Sequence, residues 1–119
     1  MQREIVFYKT VNNKCPVEDF LSCLPSKAAQ KAAWVLRLLV HLERIPSQYF
    51  SKMEGADDIW ECRIKWGSDI YRIFAFWDNS QIVLTHGIIK KTQKTPREEI
   101  RKAEEYKKDY WQRRGLDRR

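Results

Sequence analysis

Long apolar runs are missing from these 119 residues. No stretch approaches the ~20 residues of a membrane span, and the opening Met-Gln-Arg-Glu lacks the apolar run of a signal peptide. Both absences point to a cytoplasmic protein away from membranes. Cysteine is sparse and odd in number: Cys15, Cys23 and Cys62, with no CxxC and no paired histidine. That pattern excludes a disulfide frame and a zinc site and fits reduced, mostly buried thiols. No metal or other cofactor is expected. There are no internal repeats, low-complexity tracts or domain linkers. Against these absences stand a hydrophobic fraction of 43% and five each of Trp, Tyr and Phe. Such a chain can bury a core without staples, so a single domain over 1–119 is expected, with 115–119 as a tail.

Acidic charge is short in one place. Residues 1–89 hold 11 Lys/Arg and 10 Asp/Glu, whereas residues 90–119 hold 12 and 6. Nearly all of the net +7 therefore lies in the last quarter of the chain. A solvated helix face with a frayed end accounts for such a bias, and so does a phosphate-seeking surface.

The run from Ile59 to Phe74 organises the rest. Trp60, Cys62, Ile64 and Trp66 alternate with Glu61, Arg63 and Lys65, the period of an extended strand. Gly67-Ser68-Asp69 reads as a tight turn. A second strand, rich in aromatic and β-branched residues, then carries Arg72 near its start. One face of this hairpin is apolar, and the other gathers Arg63, Lys65 and Arg72 with Glu61 as local counter-charge.

The flanking elements follow from the same signals. Glu4–Tyr8 is a short strand, and Pro16 opens a short helix with Glu18 and Asp19 in its first turn. Ser26 caps a longer helix over 27–44, with Ala28, Ala32, Val35, Leu36, Leu39 and Leu42 as its buried stripe. A further short strand is possible at Lys52-Met53-Glu54. Consecutive antiparallel strands are expected at 59–66, 70–77 and 81–89. A basic loop from Lys90 to Thr95 includes Lys91 and Lys94. Thr95 caps a last helix opened by Pro96, whose packing side is Ile100, Ala103, Tyr106, Tyr110 and Trp111. The fold class is α+β: a curved, mainly antiparallel sheet with two N-terminal helices on one face and a C-terminal helix.

Several of these residues resemble the RelE/ParE toxin superfamily, most of all its phage-derived, HigB-like branch. They are the run Ile59–Trp66, the Tyr71-Arg72 pair, His86-Gly87-Ile88-Ile89-Lys90-Lys91-Thr92 before Pro96, and the early Cys15–Leu21 segment. The resemblance covers roughly residues 3–112. It implies a RelE-like fold and the toxin of a type II toxin–antitoxin pair that cuts messenger RNA on the ribosome. The implied partners are ribosome, mRNA and a cognate antitoxin, a HigA-like helix-turn-helix protein through which alone DNA would be met. The resemblance places Arg63 and Lys65 at two basic strand positions, Arg72 at the phosphate-binding arginine, and Lys91 or Lys90 at the basic residue after the last strand. Arginine is the usual residue at the position of Lys91, and no tyrosine follows it closely, so the general acid is open.

The chemistry needs such residues in any case. A ribonuclease that uses the RNA 2′-hydroxyl as nucleophile requires a base, cations around five-coordinate phosphorus and an acid for the leaving 5′-oxygen. Arg72 suits phosphate clamping because its fork holds two oxygens and stays charged. Lys65 serves as base only where clustered cations depress its pKa from ~10.4. His86 is either an alternative acid or base or a strand histidine bonded to a neighbour. Lys90 and Lys94 are candidate phosphate contacts. Phe74, sharing strand parity with Arg72, is the candidate for base stacking, whereas Trp60 and Tyr71 are read as core. Two other classes remain: a ParE-like toxin that binds DNA gyrase without cleaving RNA, and a basic nucleic-acid-binding module without chemistry.

Overall fold

The computed structural model describes residues 3–90 and 95–115. The chain runs β1 (Glu4–Phe7), α1 (Pro16–Ser22), α2 (Ser26–His41), β2 (Phe50–Lys52), β3 (Trp60–Trp66), β4 (Asp69–Asp78), β5 (Gln81–Lys90) and α3 (Arg97–Arg113). The strands form one sheet in the order β1-β5-β4-β3-β2. Among the described residues only the β1–β5 pair is parallel. The three consecutive strands and the three helices fall where patterning places them. The short strand lies at Phe50–Lys52, slightly earlier than Lys52–Glu54, because Phe50 pairs with Cys62 and is buried.

The helix ends differ in detail. Pro25 and Pro96 occupy the N-cap positions, with ψ of 150° and 136° and no side-chain cap bond, so Ser26 begins α2 and Thr95 precedes the cap of α3. The pyrrolidine ring fixes φ and has already placed the backbone at the helix entrance. Helix α2 stops at His41, three residues short of the expected end, as Leu42 turns extended. Arg3 takes up the freed carbonyls there, donating to Leu39 O at 3.0 Å and Glu43 O at 2.6 Å.

β3 and β4 meet through a two-residue link in which Gly67 has φ +64°, the first position of a type II′ hairpin, where glycine is favoured. The register sets Cys62 opposite Ile73 and Ile64 opposite Tyr71. This face packs against Val17 of α1 and Ala28, Ala32, Val35 and Leu39 of α2. Glu61, Arg63 and Lys65 pair with Phe74, Arg72 and Ile70 and take the other side.

That other side is not open. Helix α3 lies across it, with Ala103 against Ile59 and Phe74, and with Tyr106, Tyr110 and Trp111 against Phe76 and Val83. Tyr8 Oη donates to Asp109 Oδ2 at 2.6 Å, and Tyr110 Oη donates to Asp78 Oδ2 at 2.5 Å. Burial, reinforced by those carboxylates, pushes both phenols up to about 12. The sheet is thus covered on both faces, and only part of the expected cationic face reaches solvent.

A β-bulge between the Ile73↔Gly87 and Ala75↔Leu84 pairs gives β5 one extra residue opposite Phe74. It resets the alternation, so that Val83 before it and His86 and Ile88 after it all meet the α3 side. Gly87 then faces α1. A Cβ there would lie 2.4 Å from Cδ2 of Phe20, whose ring also meets Tyr71 edge-on. Gly87→Val is therefore expected to lower stability by about 1–3 kcal/mol, the usual cost of overpacking, and to displace Phe20. Chemical denaturation of the two proteins checks this; equal midpoints would mean that α1 moves aside freely.

Cys15 and Cys62 are buried free thiols, and Cys23 is exposed. Burial raises the Cys62 thiol to about 12. Among the described residues no helix is long and apolar enough to cross a membrane, and no cluster of potential ligands could hold a metal ion.

Candidate functional site

The cross-strand Arg63↔Arg72 pair puts two guanidiniums on one face of the β3–β4 hairpin. Like charges directly opposite each other are unfavourable, and Glu61, two residues before Arg63, offsets them. Its Oε2 is in ion-pair contact with Arg72 Nη1 and lies 4.0 Å from Arg63 Nε. Arg72 and Glu61 are both buried, whereas Arg63 is partly open. Burial pulls the Arg72 guanidinium below its ordinary pKa. An exposed Arg72–Glu61 pair would contribute little, but a buried one is strongly coupled to its partner's presence.

The cluster is undersatisfied. Nε of Arg72, Nε of Arg63 and Oε2 of Glu61 are buried and have no hydrogen-bond partner among the described residues. Buried donors are nearly always paired in folded proteins, so two such N–H groups beside one shared carboxylate leave donor capacity that an anionic oxygen takes up only once the side chains shift to expose it.

Lys65 is exposed at the end of β3. With Arg63 it lines a depression of 270 Å³, completed by Lys31 of α2, Gln48, Tyr49 and Ile70. Lys31, Gln48 and Tyr49 are absent from the sequence-based set of site residues. Lys31 lies beside the Ala28–Ala32–Val35 stripe, on a flank that periodicity alone assigns to solvent.

His86 is buried under α3. It stacks on Phe74 with centroids 4.9 Å apart and meets Tyr106 edge-on. Its Nε2 is 3.1 Å from Glu99 Oε1, and Nδ1 is 3.2 Å from the Thr85 hydroxyl. A neutral ring protonated on Nε2 donates to Glu99. Burial holds the His86 pKa below the usual histidine value, with Glu99 opposing that shift.

Phe74 corrects an expectation. It does share its face with Arg72, but it is fully buried between β4 and α3 and presents no surface to a base. Arg63, Lys65 and Arg72 are brought together; His86 lies on the same face, beneath α3. Lys90 ends β5, its backbone in register with Ile70. Lys91 and Lys94 lie outside the described residues.

The family model described as "Phage derived protein Gp49-like (DUF891)" matches residues 19–108. No curated protein matches the sequence. Among solved structures, a chain of the archaeal RelE–RelB complex from Pyrococcus horikoshii OT3 aligns at 17% identity and TM-score 0.49, covering 79% of this chain and 100% of its own.

Proposed function

This chain belongs to the Phage derived protein Gp49-like family, and from that premise we propose that it is a RelE-type toxin of a type II toxin–antitoxin system. Its activity is that of a ribosome-dependent endoribonuclease of the HigB-like branch. The observation that carries the reading is the Arg72–Glu61–Arg63 cluster with its unpaired buried N–H donors, continued to the surface by Lys65. Such a set suits a phosphorus centre where negative charge develops, and RNA supplies its own nucleophile.

In this reading Arg72 and Arg63 hold the phosphate oxygens. Lys65 takes the 2′-hydroxyl proton when its amine is unprotonated, and as an ammonium it joins the arginines on the phosphate. The leaving 5′-oxygen is protonated by Lys91 or His86, and His86 reaches it only with α3 displaced. Lys90 and Lys94 hold flanking phosphates. The partners are the ribosome, mRNA and a HigA-like antitoxin, with DNA met only through the antitoxin. The test is to add the purified chain to a translating extract and to naked mRNA and map RNA ends, with a gyrase supercoiling assay alongside. Cleavage that requires ribosomes supports the reading. Gyrase inhibition without cleavage replaces it with a ParE-like activity, and binding alone with a non-catalytic module.

The charge of residues 90–119, 12 Lys/Arg against 6 Asp/Glu, makes a second expectation. The antitoxin covers or displaces elements around the cationic face with an acidic segment, so association slows as salt rises. Stopped-flow association rates between 50 and 500 mM salt test this; a flat profile would remove electrostatic steering from the interaction.

A further inference from the structure

We propose that the depression beside the end of β3 that β2 does not reach is a subsite for single-stranded RNA, in which Lys31, Arg63 and Lys65 hold one phosphodiester and Trp34 stacks a neighbouring base. The substrate class rests on the ribonuclease reading above; the subsite itself rests on the geometry. β2 pairs with β3 only as far as Cys62. Beyond it the edge is closed by two other contacts: Arg63 N donates to Tyr49 O at 2.9 Å, and Lys31 Nζ donates to Lys65 O at 3.2 Å. That bond fixes the Lys31 ammonium at the pocket wall and uses one of its three N–H donors.

The lining is cationic without compensation. Lys31, Arg63 and Lys65 contribute three positive charges, and among the described residues no carboxylate lines the pocket. The adjacent acid, Glu61, is 4.0 Å from Arg63 Nε and is engaged by Arg72. An anion therefore enters a site whose cations are already gathered on a sheet edge and a helix.

Trp34 supplies the second half. It follows Lys31 by three residues on α2, one helical turn on, and is 40% exposed. Lys31 Nζ lies 5.8 Å from its ring centroid, and Tyr49 meets it edge-on at 5.7 Å. A lone exposed tryptophan is unremarked on most surfaces. One held against Tyr49 and Lys31, both of which line a cationic pocket, is the combination that binds single-stranded nucleic acid, where cations follow the backbone and rings stack bases. The pocket shares Arg63 with the Glu61–Arg72 cluster, so the two sites form one continuous track.

The test measures binding of a 2′-O-methyl RNA oligonucleotide, which blocks 2′-hydroxyl attack, to the full chain by fluorescence anisotropy across a salt series. Trp34→Ala is expected to weaken binding roughly five- to 150-fold, the range for loss of one base–aromatic stack. Lys31→Gln is expected to reduce the slope of log affinity against log salt by about 0.7, one single-strand phosphate contact. Lys14→Gln, with the same charge loss at an exposed residue of the loop before α1, should leave both unchanged. Circular dichroism on each variant separates loss of binding from loss of fold, and Lys31→Arg should restore the slope. The proposal is overturned if the wild-type chain does not bind the oligonucleotide, or if folded Lys31→Gln and Trp34→Ala bind as wild type. Cleavage in a translating extract is followed in parallel. Weakened variants with an inactive wild type keep the subsite and remove the ribonuclease; unaltered variants with an active wild type do the reverse.

Discussion

Arg72→Ala is expected to cut RNA cleavage by about 10²–10³-fold, the usual loss when one fixed donor to a developing negative charge is removed. The burial of Arg72 adds a second effect. Taking one partner from a buried ion pair leaves the other charge uncompensated, typically costing about 3–5 kcal/mol. The loss here should fall below that range, because Arg63 is also within reach of Glu61. Arg72→Lys should restore part of the stability but little of the rate, since an ammonium cannot reproduce a two-pronged contact. Glu61→Gln separates the two effects: it weakens the pair while leaving the guanidinium in place. Thermal unfolding, ribosome binding and cleavage of all three variants check the assignment. Cleavage by folded Arg72→Ala at the wild-type rate would remove Arg72 from the phosphate site.

The second large effect concerns the docking of α3. His86 has its pKa depressed, mainly by burial. A histidine with a lower pKa folded than unfolded binds fewer protons in the native state. It therefore favours folding above the unfolded value of about 6.5, and that contribution is lost as pH falls from there through the folded pKa. Unfolding followed from pH 8 to pH 4.5 should show stability falling below about pH 6.5. His86→Gln should flatten that part of the profile, and in the wild type the protection factors of α3 amides, taken relative to intrinsic exchange at each pH, should fall over the same interval. Were the wild-type and His86→Gln profiles parallel, the His86–Glu99 contact would not be a pH-sensitive link between β5 and α3. The carboxylates lose protons lower in the scale, so the variant comparison isolates the histidine.

The fold was largely legible in the chain. Strict alternation from Trp60 to Trp66, the Gly67 turn and the stripe Ala28–Leu39 fix β3, β4 and α2 through local periodicity, which the packing then follows. The stripe Ala103, Tyr106, Tyr110 and Trp111 was equally visible. What a stripe does not specify is the surface it covers. Helix α3 lies over the face that carries Arg72 and Phe74, so correct parity still led to the wrong exposure for Phe74. The bulge at Thr85–His86 is a second such case. One inserted residue turns His86 and Ile88 toward α3; Gly87 flanks the insertion, and an isolated glycine within a strand is the signal of a bulge that the alternation reading passed over. Of the site, the basic strand residues and Glu61 as their counter-charge were readable from alternation. Lys31, Gln48 and Tyr49 were not, because they come from a helix flank and a connecting segment that meet β3 only in three dimensions.

The chemistry of the RNA ends tests the central proposal most directly. Attack by a 2′-hydroxyl on its neighbouring phosphate expels the 5′-oxygen, leaving a 2′,3′-cyclic phosphate upstream and a 5′-hydroxyl downstream. Messenger RNA from a translating extract treated with the purified chain should carry such ends at each new cleavage position, and Arg72→Ala should sharply reduce their number. Cleavage that leaves 5′-phosphates, or no cleavage by a folded wild-type chain on translating ribosomes, would contradict it.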